Sequence, residues 1–100
     1  MNQMYIRHTV GSRLLLDSVK HTADFDIQPV DGQWQFVIRL ADDKVAEEVL
    51  KFRDELNLFV VDDEKPDVKT WYYSSDGRVD YDKAGRTLTI IADARLDYNV

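Results

Sequence analysis

The chain contains no cysteine among its 100 residues, and it has only four glycines and two prolines. Without cysteine it cannot form disulfides, thiolate metal sites, iron–sulfur clusters or a cysteine nucleophile. No apolar run approaches the roughly 18 residues that a membrane-spanning helix needs, so we expect no membrane partner. The N-terminal segment lacks a basic stretch followed by an apolar one, which indicates no secretory signal and predicts a cytoplasmic protein.

Basic residues are also in short supply. The chain has 13 Lys and Arg against 19 Asp and Glu, for a net charge of −6, and the cations are scattered along it. Nucleic-acid binding normally needs a clustered basic surface, so we expect no nucleic-acid partner. A content of 44% hydrophobic and 32% charged residues is typical of a globular protein, and the length predicts one domain spanning residues 1–100.

The acidic residues are mostly aspartate, with fifteen Asp and four Glu. Aspartate is favoured at helix caps and turns, which accounts for many of these positions. The alternative interpretation is an acidic surface that attracts a basic partner through long-range electrostatics.

Alternating apolar and polar residues predict most of the chain to be β-strand. Asp31-Gly32 is a strong hairpin signal between two such runs. Pro29 cannot donate a ladder hydrogen bond, so the strand over 24–30 either lies at a sheet edge or ends there. The predicted strands cover residues 4–10, 24–30, 33–40, 58–61, 68–73, 78–81 and 87–94.

Residues 43–56 carry the clearest helical pattern. Val45, Val49, Phe52 and Leu56 form one apolar stripe at helical spacing. Asp42 or Asp43 is suited to cap the N-terminus, and Asn57 can adopt the left-handed conformation that ends a helix.

Residues 13–21 fit two structures. Ser12 can cap a short helix over 13–21, or Gly11-Ser12 can form a hairpin turn that leads into a strand over 13–17. The consecutive leucines favour the helix. With that helix, the sequence predicts an α+β fold with a mostly antiparallel sheet, in the element order of a ferredoxin-like plait followed by a C-terminal β-meander.

No constellation marks a catalytic, cofactor or metal site. In each of the pairs Asp24/Asp26 and Asp80/Asp82, the spacing on a strand points both carboxylates the same way, so that they could share a hard cation. A pair alone, however, supplies too few ligands for a metal site. The two histidines, His8 and His21, have no metal-binding spacing, and no nucleophile or phosphate-binding motif is present. We therefore assign no catalytic residue, no cofactor and no metal ligand.

The most distinctive segment is Trp71-Tyr72-Tyr73. Strand alternation places Trp71 and Tyr73 on one face and Tyr72 on the other. Such a strand is either covered on both sides as core, or it presents one aromatic face to a partner. The acidic run Asp62-Asp63-Glu64 lies shortly before it.

These features predict a non-enzymatic protein-interaction module, such as an acidic inhibitor, an immunity-type protein or an adaptor. It would bind a protein partner or a second copy of itself through Trp71, Tyr73 and the acidic loop of Asp62, Asp63 and Glu64. One alternative is a small regulatory domain that binds a metabolite or a divalent metal. A third is a small enzyme that uses aspartate.

Overall fold

The computed structural model describes residues 2–8, 11, 13–62, 64–74 and 78–99. Within this part of the chain the fold consists of antiparallel sheets and one helix, which confirms the predicted α+β class in a strand-rich form. In chain order the elements are β1 (Asn2–His8), β2 (Leu14–Asp17), β3 (Asp24–Val30), β4 (Gln33–Arg39), α1 (Asp43–Lys51), β5 (Leu56–Asp62), β6 (Lys65–Ser74), β7 (Val79–Asp82), β8 (Thr87–Ala92) and β9 (Ala94–Asn99).

The strands divide between two sheets. A five-stranded sheet has the order β2-β1-β5-β6-β9, and a four-stranded sheet has the order β3-β4-β8-β7. One face of each sheet contributes to a shared core, as when the ring of Phe36 from β4 meets Tyr72 from β6 edge-on at 4.8 Å. The largest fully buried side chains of this core include Phe36, Met4, Ile6, Leu16, Ile38, Leu56, Leu58, Leu88 and Ile90.

The β3–β4 hairpin forms as predicted. Asp31 and Gly32 both have positive φ, 51° and 78°, the backbone conformation of the turn that joins twisted strands tightly. Pro29 lies in β3, which is an edge strand of the four-stranded sheet. An edge position is where a residue without an N–H donor is tolerated.

The helix begins where expected but is shorter than the sequence indicates. Asp42 caps it, accepting a hydrogen bond from the Lys44 N–H at 2.9 Å. It ends at Lys51, with the half-buried Phe52 as its C-cap, and Leu56 belongs to β5 instead. In the described residues, no helix has the length and apolarity to cross a membrane.

The early end of the helix has a physical reason. Leu56, Leu58 and Val60 are buried at alternate positions in the middle of the five-stranded sheet, and this burial requires an extended chain. Leu56 is four residues after Phe52, which is a helical spacing, and it is also the first residue of the alternating strand pattern. The helical and the strand periodicity therefore overlap at Leu56. Asn57, the predicted helix terminator, is therefore a strand residue.

The predicted helix over 13–21 is wrong. Leu14–Asp17 is strand β2, paired antiparallel to β1. The Asp17 carboxylate accepts hydrogen bonds from the Val19 and Lys20 N–H groups, so the chain turns at the point where a helix would have continued. Ser12, the predicted cap, lies outside the described residues.

The plait is not confirmed, and the C-terminal strands do not form one meander. β7 and β8 pair in the four-stranded sheet, whereas β6 pairs with β9 in the other. The chain changes sheets at Asp93, whose N–H donates to the Tyr73 carbonyl at 2.9 Å. The strand predicted over 87–94 therefore ends at Ala92.

Candidate interaction surface

The two faces of the five-stranded sheet have different surroundings. Tyr72 points into the core and is only 5% exposed. Its neighbours Trp71 and Tyr73 point to the opposite side and are half-buried. We call that opposite side the aromatic face, and define it by the side chains of Tyr5, Arg7, Asn57, Phe59, Val61, Lys69, Trp71, Tyr73, Leu96 and Tyr98.

Strand register places four large side chains of this face in one row. Tyr5 lies opposite Phe59, Phe59 opposite Trp71, and Trp71 opposite Leu96. The rings of Tyr5 and Phe59 are stacked, with centroids 5.0 Å apart and planes inclined by 19°. Cross-strand aromatic pairs of this kind stabilise a sheet, and here they also form a continuous apolar strip across β1, β5, β6 and β9.

Hydrogen bonds fix the polar ends of these aromatic side chains. The indole N–H of Trp71 donates to the Asn57 carboxamide oxygen at 2.9 Å. The Lys69 ammonium donates to the Tyr5 hydroxyl at 2.8 Å, and this hydrogen bond is the main reason that the pKa of Lys69 is raised. The rings are therefore held in defined orientations before any partner arrives.

The aromatic face has no covering layer among the described residues. Helix α1 packs against β2 and β7, at one end of the sandwich, and the four-stranded sheet contacts the other side of β6. On β9, the outermost strand, Leu96 is 55% exposed and Tyr98 is 36% exposed. A contiguous apolar area of this kind on an exposed sheet face is characteristic of interaction sites.

Two cations accompany the aromatic rings. The guanidinium of Arg7 lies 5.6 Å from the centroid of the Tyr5 ring, and the ammonium of Lys69 lies 5.4 Å from the same centroid. Although the chain as a whole is acidic, two cationic side chains therefore lie beside this part of its surface.

The predicted acidic residues lie apart from the aromatic row. Asp62 ends β5, and its carboxylate accepts a hydrogen bond from the Glu64 N–H at 3.0 Å in the turn to β6. Asp62 borders a cleft on the inner side of the sheet, and Glu64 is exposed. Asp63 lies outside the described residues. The structure thus brings Trp71 and Tyr73 together on one face and does not bring Asp62 onto that face.

Sequence reasoning missed most of the aromatic face. Tyr5 and Phe59 join Trp71 only because β1 and β5 are its neighbours in the sheet, which pairing register decides. The signal for Leu96 and Tyr98 was present in the alternation of the C-terminal segment, but nothing local indicated which sheet that segment would join.

Three of the four paired aspartates, Asp24, Asp26 and Asp82, make other contacts in the described structure. Asp24 and Asp26 both contact the Arg39 guanidinium, at 3.3 and 3.0 Å, on the exposed side of the β3–β4 hairpin. The Asp82 carboxylate accepts a hydrogen bond from the Gly85 N–H in the β7–β8 turn. Across the described residues, no three or more His, Asp or Glu side chains gather as metal ligands would.

The histidines also have structural surroundings. The His8 ring lies 4.9 Å from the Phe52 ring. The Nδ1 atom of His21 accepts a hydrogen bond from the Asp17 N–H at 3.0 Å, within the turn that follows β2. Both contacts fit a role in holding local structure.

Two clefts open between the sheets. The larger, of about 910 Å³, lies between the β1–β2 side and β3, and its lining includes Val19, Ala23, Phe25 and Ile27. The smaller, of about 360 Å³, lies on the inner side of β6 and β9. The larger cleft has the volume of a small-molecule site.

Comparisons of the chain with protein-family models, with curated proteins and with solved structures found no match. The function of the chain must therefore be inferred from the geometry of the molecule itself.

Proposed function

We propose that this chain is a non-enzymatic protein-interaction module whose aromatic face binds a partner protein. The observation that carries the proposal is the row of Tyr5, Phe59, Trp71 and Leu96, which crosses four strands on a sheet face that no other described element covers. An acidic inhibitor, immunity-type protein or adaptor of the cytoplasm would fit this arrangement.

The chemistry of the face suits binding. Tyr and Trp contribute large contact areas and have few rotatable bonds, so little side-chain entropy is lost on association. Hydrogen bonds to Asn57 and Lys69 already restrict Trp71 and Tyr5 in the free chain. Prior ordering of this kind reduces the free-energy cost of forming a complex.

The charges indicate the chemistry of the partner. We expect an apolar patch to meet the aromatic row, with a carboxylate of the partner beside Arg7 and Lys69, because both cations flank the Tyr5 ring. The acidic sequence Asp62-Asp63-Glu64 would contribute to long-range attraction of a basic region. The aromatic face would thus supply affinity and the loop would supply association rate.

The test is a comparison of baits in the native host. Wild-type chain, Trp71→Ala, Tyr73→Ala and Val30→Ala would each be immobilised, and the captured proteins identified by mass spectrometry. Val30→Ala is the matched control, because Val30 is 39% exposed and belongs to the other sheet. We expect one stoichiometric partner that the wild type and Val30→Ala retain and the two aromatic variants lose.

Binding kinetics with the purified partner would then separate the two contributions. Trp71→Ala should mainly accelerate dissociation, whereas joint neutralisation of Asp62, Asp63 and Glu64 should mainly slow association and flatten its salt dependence. A partner that binds folded Trp71→Ala and Tyr73→Ala as tightly as the wild type would contradict the proposal.

A second candidate function is supported by the larger cleft. A regulatory domain that binds a small metabolite would use the space of about 910 Å³ beside Phe25 and Ile27. Native mass spectrometry of the chain purified from its host would show a bound mass for this function. The mass should disappear in Phe25→Ala and persist in Trp71→Ala, the reverse of the result expected for the aromatic face.

A further inference from the structure

Strand β9 leaves one long edge of the five-stranded sheet unpaired within the described residues. An unpaired edge exposes backbone donors and acceptors that can join another strand, and proteins usually guard it. At the other end of the sheet, β2 is four residues long and packs against α1. The long edge strand of the other sheet, β3, contains Pro29. β9 has six residues and no proline.

The side chains of β9 also favour contact. Leu96 and Tyr98 are among the most exposed large apolar side chains of the described residues. Both extend the aromatic face, since Leu96 lies opposite Trp71 and Tyr98 opposite Lys69. On the inner side of the strand, Arg95 and Asp97 form a weak ion pair at 3.4 Å and remain substantially exposed.

We propose that two copies of the chain pair through β9, antiparallel, about a two-fold axis at Leu96. This inference goes beyond the proposed function and does not depend on it, because it concerns the edge of the sheet and, of the aromatic face, engages only Leu96 and Tyr98. The two five-stranded sheets would join into one continuous sheet.

Among the registers centred on the middle of β9, at Arg95, Leu96 or Asp97, charge selects the one at Leu96. An antiparallel pair related by a two-fold axis normal to the sheet must be centred on one residue. Centred on Arg95, the register places two arginines opposite each other, and centred on Asp97, it places two aspartates opposite each other; both are unfavourable. Centred on Leu96, it places Arg95 opposite the second copy's Asp97, and the reverse, so both pairs are complementary.

The same register fits the side chains of the outer face. Leu96 meets Leu96 of the second copy, and the small Ala94 lies opposite the large Tyr98. The row of Tyr5, Phe59, Trp71 and Leu96 then continues through the axis into the same row of the second copy, because these residues are direct cross-strand partners. The dimer would present two aromatic faces on one side of a single sheet.

One strand pair buries less area than a standard stable interface, so we expect monomer and dimer to exchange. Sedimentation analysis should show the mass rising from 11.7 kDa towards twice that value as concentration increases. A mass that stays at one chain up to a chain concentration of about 1 mM would overturn the proposal.

Cysteine cross-linking tests the register, because the natural chain has no cysteine. Residues directly opposite in an antiparallel pair have Cα atoms about 4.5–5.5 Å apart, within disulfide range. Leu96→Cys should therefore form a covalent dimer readily under oxidising conditions. Tyr98→Cys is the matched control, because the two substituted positions would lie about 14 Å apart.

A mixed sample gives a second test of the register. A mixture of Ala94→Cys and Tyr98→Cys chains should cross-link, because these two positions lie opposite each other in the proposed pair. Equal cross-linking of the two single variants would overturn the register.

Charge reversal tests the ion pairs. Arg95→Asp should abolish dimerisation, because an aspartate at position 95 would then lie opposite Asp97 of the second copy on both sides of the axis. The double variant Arg95→Asp, Asp97→Arg should restore dimerisation, because it restores the opposite charges. Circular dichroism would show that each variant is folded. If folded Arg95→Asp dimerises as well as the wild type, or if the double variant remains monomeric, the proposal is wrong.

Discussion

Tyr72 and Trp71 are neighbours on β6, yet they lie in different environments. Tyr72 is 5% exposed and contacts the rings of Phe36 and Trp34 from the opposite sheet. Trp71 is half-buried, contacts Tyr73 and donates to Asn57 on a face without a covering layer in the described structure. Burial also raises the pKa of Tyr72, as its surroundings in the core require.

The difference shows that the apolar side chains on the two faces of one strand have two different roles. The inner side chains are held by a second sheet and contribute to stability. The outer side chains are held only by their cross-strand neighbours and by single hydrogen bonds, so their apolar surface remains available for association. Substitutions on the two sides should therefore separate stability from binding.

The largest effect should come from the inner side. Phe36 is fully buried against Tyr72. Phe36→Ala should lower the free energy of unfolding by about 3–5 kcal/mol, through lost burial and the cavity that remains. Chemical denaturation would measure it. A loss below about 1 kcal/mol would mean that the two sheets do not pack closely there.

Trp71→Ala should have a smaller effect on stability, about 1–2 kcal/mol, because the ring is only half-buried and loses one hydrogen bond. The same denaturation experiment applies, with Tyr72→Ala on the inner side as its matched comparison. A cost for Trp71→Ala equal to that for Tyr72→Ala would remove the distinction between the two faces.

The helix cap should contribute less again. Asp42→Ala removes the acceptor for the Lys44 N–H and should cost about 1 kcal/mol. Asp54→Ala is a suitable control, because Asp54 is exposed and follows the helix. Thermal unfolding of both variants would measure the difference, and equal melting temperatures would show that the cap contributes nothing.

The smallest effect is a loss of stability at alkaline pH. The Tyr81 hydroxyl donates to the Asp43 carboxylate, and this hydrogen bond is the main cause that raises the pKa of Tyr81 to about 12. The pKa is higher in the folded than in the unfolded chain, so the stabilisation is complete below about pH 10 and is lost as pH rises through the folded value.

Urea unfolding at about pH 8 and about pH 11 would measure this dependence, with Tyr81→Phe as the comparison. The wild type should lose more stability than the variant between the two pH values. If both lose the same amount, the Tyr81–Asp43 hydrogen bond has no part in the alkaline effect.

Local patterns predicted the local structure well and the assembly poorly. The Asp31-Gly32 hairpin, the cap at Asp42 and the alternation of Trp71 and Tyr73 all follow from residue type and spacing. The consecutive leucines of the strand at 14–17 suit both helix and strand, and only pairing with β1 decides between the two structures. The aromatic face could not be predicted as a unit, because Tyr5, Phe59 and Leu96 reach Trp71 through long-range register.

The central claim is that the aromatic face is uncovered in the free chain. Hydroxyl-radical footprinting of the dilute chain, read residue by residue by mass spectrometry, tests it most directly, because it compares large side chains by their contact with water. With each oxidation rate divided by that of the same residue in the unfolded chain, we expect Trp71, Tyr73 and Leu96 to be much less protected than Tyr72 and Phe36. Equal protection of Trp71 and Tyr72 would show that the aromatic face is covered in the free chain, contrary to this prediction.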